Sequence, residues 1–233
     1  MTATFSPPIH QAALRIRALP GVWRPHSDAA MVARLVAERR LAIDADVLDM
    51  FTGSGALAVA AARLGARSVT AVDVSRRALA SVRLNARRNH VSVRMRRSDL
   101  FAALGDETFD LILANPPYYP GGPELPRRGI ARAWDGGERG RVFIDSLCAQ
   151  APPRLRPGGT MLIVHASFNG EAETIGQLER GGLEVEVVHR HFGPFGAVGR
   201  ARVQQLRRDG LGTTPDDDDE EETIVISATR PGS

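Results

Sequence analysis

Asn115-Pro116-Pro117-Tyr118 has the sharpest chemical content of any run in this chain of 233 residues. Each proline fixes its own backbone angle and restricts the residue before it. The Asn115 side-chain oxygen and a backbone carbonyl of the Pro116-Pro117 segment can then point into one small pocket. Two fixed acceptors suit the two N–H donors of a planar NH2 group, and Tyr118 would lie on the flat face of that group and exclude water. An amide nitrogen is a poor nucleophile because its lone pair is delocalised. Acceleration must therefore come from positioning and from acceptors that stabilise charge developing on nitrogen. The plainer alternative is a turn after a strand. Against it stands the apolar run Phe109–Ala114, which would deliver the motif to the carboxyl edge of a sheet, where α/β sites form.

A second set of residues suits a nucleoside cofactor. Asp49-Met50-Phe51-Thr52-Gly53-Ser54-Gly55 stands where a strand over residues 47–50 should meet a helix over 56–64. Glycines there let the backbone turn sharply and approach a ligand closely. A lone Gly-x-Gly is shared with nicotinamide and flavin enzymes, and Ala58 at the third position does not discriminate. Asp73, followed by Val74, ends a strand over 68–72, eighteen residues beyond Gly55. A carboxylate there can accept from both ribose hydroxyls; the alternative role is a helix cap. Asp99 follows a strand over 91–96 and can take an adenine amino group while Leu100 packs on the ring; alone, it reads more readily as the cap of a short turn.

The order of these features outweighs any one of them: an acid with Gly-x-Gly, an acid, an acid, then Asn-Pro-Pro-Tyr, after four successive strands. The candidate cofactor-binding residues are Asp49, Phe51, Gly53, Gly55, Asp73, Val74, Asp99, Leu100 and Asn115. The candidate catalytic residues are Asn115, Pro116 and Tyr118. The fitting chemistry is in-line displacement at a sulfonium methyl by nitrogen. It needs no metal, and the scattered histidines lack ligand spacing.

The elements that must position these residues alternate short β-branched runs with helical patterns, which predicts a parallel sheet covered on both faces. Ser27 or Asp28 would cap a first helix over 29–39. A helix is expected over 76–89 and a fifth strand over 161–165. Residues 119–141, rich in Gly, Pro and Arg, read as an irregular loop, followed by a crossover helix over 142–155 that Pro157-Gly158-Gly159 ends with a turn. Strands over 184–189 and 223–229 complete seven. The whole chain, 1–233, reads as one domain: a lead-in segment and helix to residue 40, a core over 45–206, a mobile acidic loop over 207–222 and a last strand over 223–230.

The formal charge of +3 conceals a run of seven acids over 216–222, without which the remainder carries +10. A basic body suits RNA, the ribosome or an acidic protein face. Every basic residue other than histidine is arginine, however, which a GC-rich genome's codon usage explains as well. The acid run itself reads as a solvated loop. Cys148, the single cysteine, excludes an internal disulfide and reads as a small core residue. No apolar run reaches membrane-spanning length and no secretion signal is visible, so the expectation is a cytoplasmic protein without a membrane partner.

At these residues the chain resembles the class I S-adenosylmethionine-dependent methyltransferases of the HemK-like release-factor glutamine methyltransferase family, over roughly residues 23–230. Trp23-Arg24-Pro25-His26-Ser27-Asp28 is similar to that family's aromatic-x-Pro-x-x-Asp segment, and Asn-Pro-Pro-Tyr is the glutamine and adenine version of the catalytic motif. The segment 129–141 resembles the short eukaryotic and archaeal branch, which lacks an N-terminal helical substrate domain. The resemblance implies an α/β Rossmann-like fold, with a seven-stranded, mostly parallel sheet, helices on both faces and an antiparallel last strand. It also implies S-adenosyl-L-methionine as cofactor and S-adenosyl-L-homocysteine as product. The implied acceptor is the Gly-Gly-Gln glutamine of a release factor, and a small zinc-binding activator subunit serves the short branch. The departures are Ala29, where the family often has a hydroxyl residue, and a long insertion over 190–222 that includes Phe192-Gly193-Pro194-Phe195-Gly196. N6-adenine or other amine methylation of RNA or DNA, and N-methylation of a small molecule or peptide, remain open as alternatives.

Overall fold

The computed structural model describes residues 3–5, 14–24, 27–126, 129–208 and 220–232. The chain opens with a short antiparallel pair, β1 (Ala3–Phe5) and β2 (Leu14–Ile16), then α1 (Ser27–Glu38). There follow β3 (Asp46–Met50), α2 (Ala56–Arg63), β4 (Ser68–Asp73), α3 (Arg76–Arg88), β5 (Arg94–Arg97) and β6 (Phe109–Ala114). After a 3-10 turn at Ile130–Ala133 come α4 (Val142–Gln150), β7 (Leu155–Ala166), α5 (Glu171–Arg180), β8 (Glu184–Pro194), α6 (Ala197–Arg208) and β9 (Glu220–Thr229). The seven strands of the main sheet run in the order β5-β4-β3-β6-β7-β9-β8. Neighbours from β5 to β7 are parallel, and β9 lies antiparallel between β7 and β8.

Strand alternation divides the core into two layers. Val47, Val69, Ala71, Leu111 and Leu113 face α1, α2 and α3, whereas Leu48, Met50, Val72, Ile112 and Ala114 face α4 and the Phe101–Leu104 turn. The central strands are buried on both sides, which is why they read as continuous apolar runs. Each such Val, Leu or Ile contributes about 1.5–3 kcal/mol by leaving water. Cys148 is one of these core residues, and burial pushes its thiol up to about 12. No helix of the described residues is long and apolar enough to cross a membrane.

Polar side chains of α3 and of its C-cap, Asn89, fasten the lead-in segment to the domain. Asn89 accepts from the Arg15 N–H (3.0 Å), Asn85 from the Arg17 N–H (2.9 Å) and Ser81 from the Leu19 N–H (3.2 Å). The Asn85 amide also donates to the Arg17 carbonyl (2.7 Å) and the Ser54 carbonyl (2.8 Å), joining the strap to the glycine loop.

Several boundaries differ from the sequence expectation. β7 begins at Leu155 rather than 161, because Pro157-Gly158-Gly159 is absorbed into the strand. There the Gly158 N–H donates to the Arg230 carbonyl and the Gly159 carbonyl accepts from the Arg230 N–H, both at 2.9 Å. Residues 207–208 and 220–222 do not belong to the acidic loop expected over 207–222. α6 runs to Arg208, and Glu220, Glu221 and Glu222 belong to β9, paired with Pro194, Gly193 and Phe192 of β8. The rest of the acid run, 216–219, lies outside the described residues. In the Phe-Gly-Pro-Phe-Gly segment, Phe192 is 64% exposed on the edge strand while Phe195 enters the core at 2%.

His165 on β7 is fully buried; its Nδ1 meets the Ala166 carbonyl at 2.8 Å and its Nε2 has no partner. Burial first, and the Arg141 charge to a lesser degree, lower its pKa to about 4, against the opposing effects of the Ala166 bond and Glu171. The unfolded chain takes up this proton near 6.5. Stability should therefore be complete above pH 6.5 and fall as pH drops from 6.5 toward 4. Urea unfolding at pH 7 and pH 4 should show His165 costing about 3 kcal/mol over that interval, a loss that His165→Leu removes.

Candidate active site

The parallel registers bring four strand ends into one row. Met50 pairs with Val72 on one side and Ala114 on the other, and Asp73 pairs with Arg97. Phe51, Asp73 with Val74, Asp99 and Asn115 therefore leave the sheet along the same carboxyl edge. The chain winds outward from β3 through β4 to β5, then returns to β6 on the other side of β3. The gap between β3 and β6 is the topological switch point, where ligands of open α/β sheets bind.

Asp49 closes the glycine loop from beneath. It is 1% exposed, and one of its oxygens accepts from the Thr52 hydroxyl (2.6 Å) and the Ala58 N–H (2.9 Å). Burial raises its pKa to about 7; the two hydrogen bonds oppose that rise and the Asp73 charge adds to it. The loop is further tied by Thr52 N–H to the Val72 carbonyl (3.0 Å) and Gly55 N–H to the Thr52 carbonyl (2.7 Å). Gly55 takes φ +81, and a Cβ there would lie 3.1 Å from the Val82 Cα, so only glycine allows α3 to approach this closely. Phe51 also takes a left-handed backbone, φ 59, with its ring edge-on to Phe143 at 5.5 Å. Such a conformation costs about 1–3 kcal/mol and persists where the surroundings enforce it.

Asp73 and Asp99 stand apart from their alternative roles as caps. Ser75, not Asp73, caps α3, accepting from the Ala78 N–H at 3.3 Å. The half-buried Asp73 carboxylate instead accepts from the Gly53 N–H (3.0 Å) and the Ser75 N–H (2.8 Å). Burial raises its pKa, against the pull of those N–H groups and Arg132. After β5, the Ser98 hydroxyl accepts from the Ala103 N–H (2.9 Å), which leaves Asp99 exposed beside Leu100, whose φ is +47. Left-handed loop backbone, a half-buried acid at β4 and an exposed acid at β5 fit a nucleoside: hydroxyls for Asp73, an amine for Asp99.

Asn115 is half-exposed at the end of β6, while Pro116, Pro117 and Tyr118 are buried. Tyr118 is fixed at both ends. Its carbonyl accepts from the Asn169 amide at 2.7 Å, and its hydroxyl donates to Asp28 at 3.0 Å. Asp28 therefore does not cap α1, which begins at Ser27; it joins the lead-in helix to the catalytic turn. Asn169 is held by its surroundings. The buried Arg141 guanidinium donates to the Asn169 carbonyl, the Gly170 carbonyl (3.1 Å), the Thr174 hydroxyl (3.2 Å) and Asp145 (2.8 Å). The segment expected to be irregular is also pinned: Tyr119 exchanges hydrogen bonds with the Trp134 carbonyl (2.8 Å) and the Gly136 N–H (2.9 Å). Neither Asn169 nor Arg141 carried a local sequence signal, because their partners lie across loops that only the fold brings together.

Fold and site define a class I, S-adenosylmethionine-dependent methyltransferase. Residues 13–131 match the family described as Methyltransferase small domain. The chain belongs to that family and, within it, to the group of the HemK-like release factor glutamine methyltransferases. A Methanocaldococcus jannaschii protein named as an N5-glutamine methyltransferase is 32% identical over 78% of this chain and 91% of its own length. The release factor glutamine methyltransferases of Geobacter sulfurreducens and Mycolicibacterium smegmatis are 37% and 33% identical, over 70% and 82% of this chain. The matched regions span 60% and 68% of those two enzymes. Among solved structures, the E. cuniculi Mtq2 in complex with Trm112 shares the fold at TM-score 0.60 and 19% identity, over 89% of this chain and 98% of that one. The T. thermophilus 16S rRNA methyltransferase RsmC, bound to AdoMet and guanosine, does so at TM-score 0.61 and 23% identity, over 98% of this chain and 50% of that one.

Removing the Asp73 carboxylate should weaken cofactor binding while leaving the α3 cap intact. Calorimetric titration of Asp73→Ala with S-adenosyl-L-homocysteine is expected to show affinity at least about tenfold lower, the loss of a charge-assisted hydrogen-bond acceptor. Unchanged affinity would remove Asp73 from the site.

Proposed function

We propose that this protein transfers a methyl group to the side-chain amide nitrogen of a protein glutamine, with a peptide-chain release factor as the substrate. The observation that carries the reading is the rigid Asn115-Pro116-Pro117-Tyr118 turn beside Phe51 at the switch point, with Tyr118 held at its carbonyl by Asn169 and at its hydroxyl by Asp28. The names of the relatives support the choice of glutamine.

S-adenosyl-L-methionine supplies the sulfonium methyl. Phe51, Gly53, Gly55, Asp73, Val74, Asp99 and Leu100 are the residues of this chain that would hold it, with Asp49 shaping the loop from below. Asn115 and the Pro116 carbonyl accept from the acceptor's N–H groups and align its nitrogen, and Tyr118 covers the amide face. As the nitrogen takes the methyl, S-adenosyl-L-homocysteine leaves and the strongly acidic N-methylated amide gives its surplus proton to water, so no strong base is required and alignment and charge stabilisation supply most of the rate. The E. cuniculi relative in fold was solved with a small partner, Trm112. A small activator subunit for this chain is a matter for the transfer assay, run with and without such a partner.

The test uses labelled S-adenosylmethionine with three acceptors side by side: a release factor, its Gly-Gly-Gln glutamine-to-alanine variant, and total RNA. Label on the unmodified factor alone is expected; label on RNA would move the reading to nucleic acid. In the same assay Asn115→Ala should lower turnover roughly 100- to 1000-fold, the scale of losing one preorganised polar group at a transition state, with cofactor binding retained. Turnover retained would overturn Asn115's role.

A further inference from the structure

Tyr118 is followed by a second tyrosine, and the two rings stack with centroids 5.1 Å apart and planes 29° from parallel. Tyr119 is fixed more completely than a packing residue needs. Its backbone is bound at both the N–H and the carbonyl, and its outer side tilts against Phe168 at 6.1 Å. Its hydroxyl donates to the Glu221 carboxylate, 2.8 and 2.7 Å from the two oxygens. Glu221 also accepts from the Gly196 N–H at 3.5 Å and sits in β9 opposite Gly193. The stack is thus held at its two hydroxyls by carboxylates from opposite ends of the chain, Asp28 in α1 and Glu221 in β9.

Two carboxylates set close to a stacked aromatic pair repel one another, an arrangement with an electrostatic cost that a purely apolar contact would avoid. Burial raises the Glu221 pKa, against the pull of the Tyr119 bonds, and the Asp28 charge adds to the rise. What the arrangement supplies is a defined ring plane. Aromatic pairs tolerate a range of offsets, so two rings alone do not fix each other's tilt. A hydroxyl anchored to a carboxylate fixes the direction of the ring's long axis, and the stacked neighbour and Phe168 then restrain rotation about it.

We infer that Tyr119 and Glu221 are positioning residues for the methyl acceptor: they set the plane of the Tyr118 ring against which a flat amide must lie. The inference rests on the reading that Tyr118 covers the acceptor. It also gives part of the acidic run a function, since Glu221 belongs to it. Glu222, its neighbour, instead pairs with Arg190 at 3.1 Å on the sheet edge.

The chain contains two tyrosines, so 13C-tyrosine labelling yields two ring spin systems. In Glu221→Ala the Tyr118 ring signals are expected to shift and average toward faster flipping, although Glu221 bonds Tyr119 and not Tyr118. Glu221→Gln, which keeps an acceptor oxygen, should restore most of the wild-type pattern. In steady-state transfer, Glu221→Ala and Tyr119→Phe should each lower kcat/KM for the acceptor about tenfold, while affinity for S-adenosyl-L-homocysteine stays within about twofold. Tyr118 signals unchanged in Glu221→Ala would overturn the inference. So would a loss of transfer matched by an equal loss of cofactor affinity, which marks general destabilisation. Failure of the wild type to label a release factor would contradict the proposed substrate, whereas the ring signals report on the stack with no acceptor present.

Discussion

A single buried carboxylate governs the geometry of the cofactor edge. Asp49 lies at the end of β3 on the face covered by α2, and one of its oxygens holds both the Thr52 hydroxyl and the Ala58 N–H. Those two bonds draw the loop back onto the start of α2. That curvature is what forces Phe51 and Gly53 into left-handed backbone and turns the Gly53 N–H toward Asp73. A carboxylate that is 1% exposed is costly to keep charged, and burial accordingly raises its pKa to about 7. The Thr52 and Ala58 hydrogen bonds offset part of that cost by stabilising the carboxylate.

The acceptor side follows a different logic. The Asn-Pro-Pro-Tyr turn is stiffened locally by its prolines, but its aim depends on groups far away in the chain: Asp28, Asn169 and, through Tyr119, Glu221. Arg141 connects this shell to α4 and α5 by donating to Asn169, Gly170, Thr174 and Asp145 at once. Gly140 has no room for a Cβ between the Tyr118 carbonyl and the Asn169 amide, so the backbone of the 129–141 segment packs directly on the turn. Distant anchors hold a site more firmly than a local turn does, because moving the turn requires several elements to move together.

Strands that end in a motif were legible in the sequence because two signals coincide there, as in β6, where an apolar run leads straight into Asn115. Ser75 and Ser98 had to be seen in place before Asp73 and Asp99 could be separated from capping roles, since both pairs stand within two residues of each other. β2 was invisible because its Arg15 is held by Asn89, and Arg17 just beyond it by Asn85, some seventy residues away. α5 went unread because only Thr174 and Leu178 of its ten residues are buried, too few to mark a face. Pro157-Gly158-Gly159 reads as a turn and becomes strand because Arg230 satisfies its backbone, a tertiary contact overriding local preference. Glu220 to Glu222 join β9 for the same reason, drawn in by pairing with β8.

The claim at the centre of this account is that Asp49 serves the cofactor through the loop, without reaching it. The direct measurement is S-adenosyl-L-homocysteine affinity, by calorimetry, for the wild type and a folded Asp49→Ala protein. With Thr52 and Ala58 released, affinity should fall at least about tenfold, or about 1.4 kcal/mol. Equal affinity in the two proteins would show that the loop keeps its shape without the carboxylate and would contradict the account.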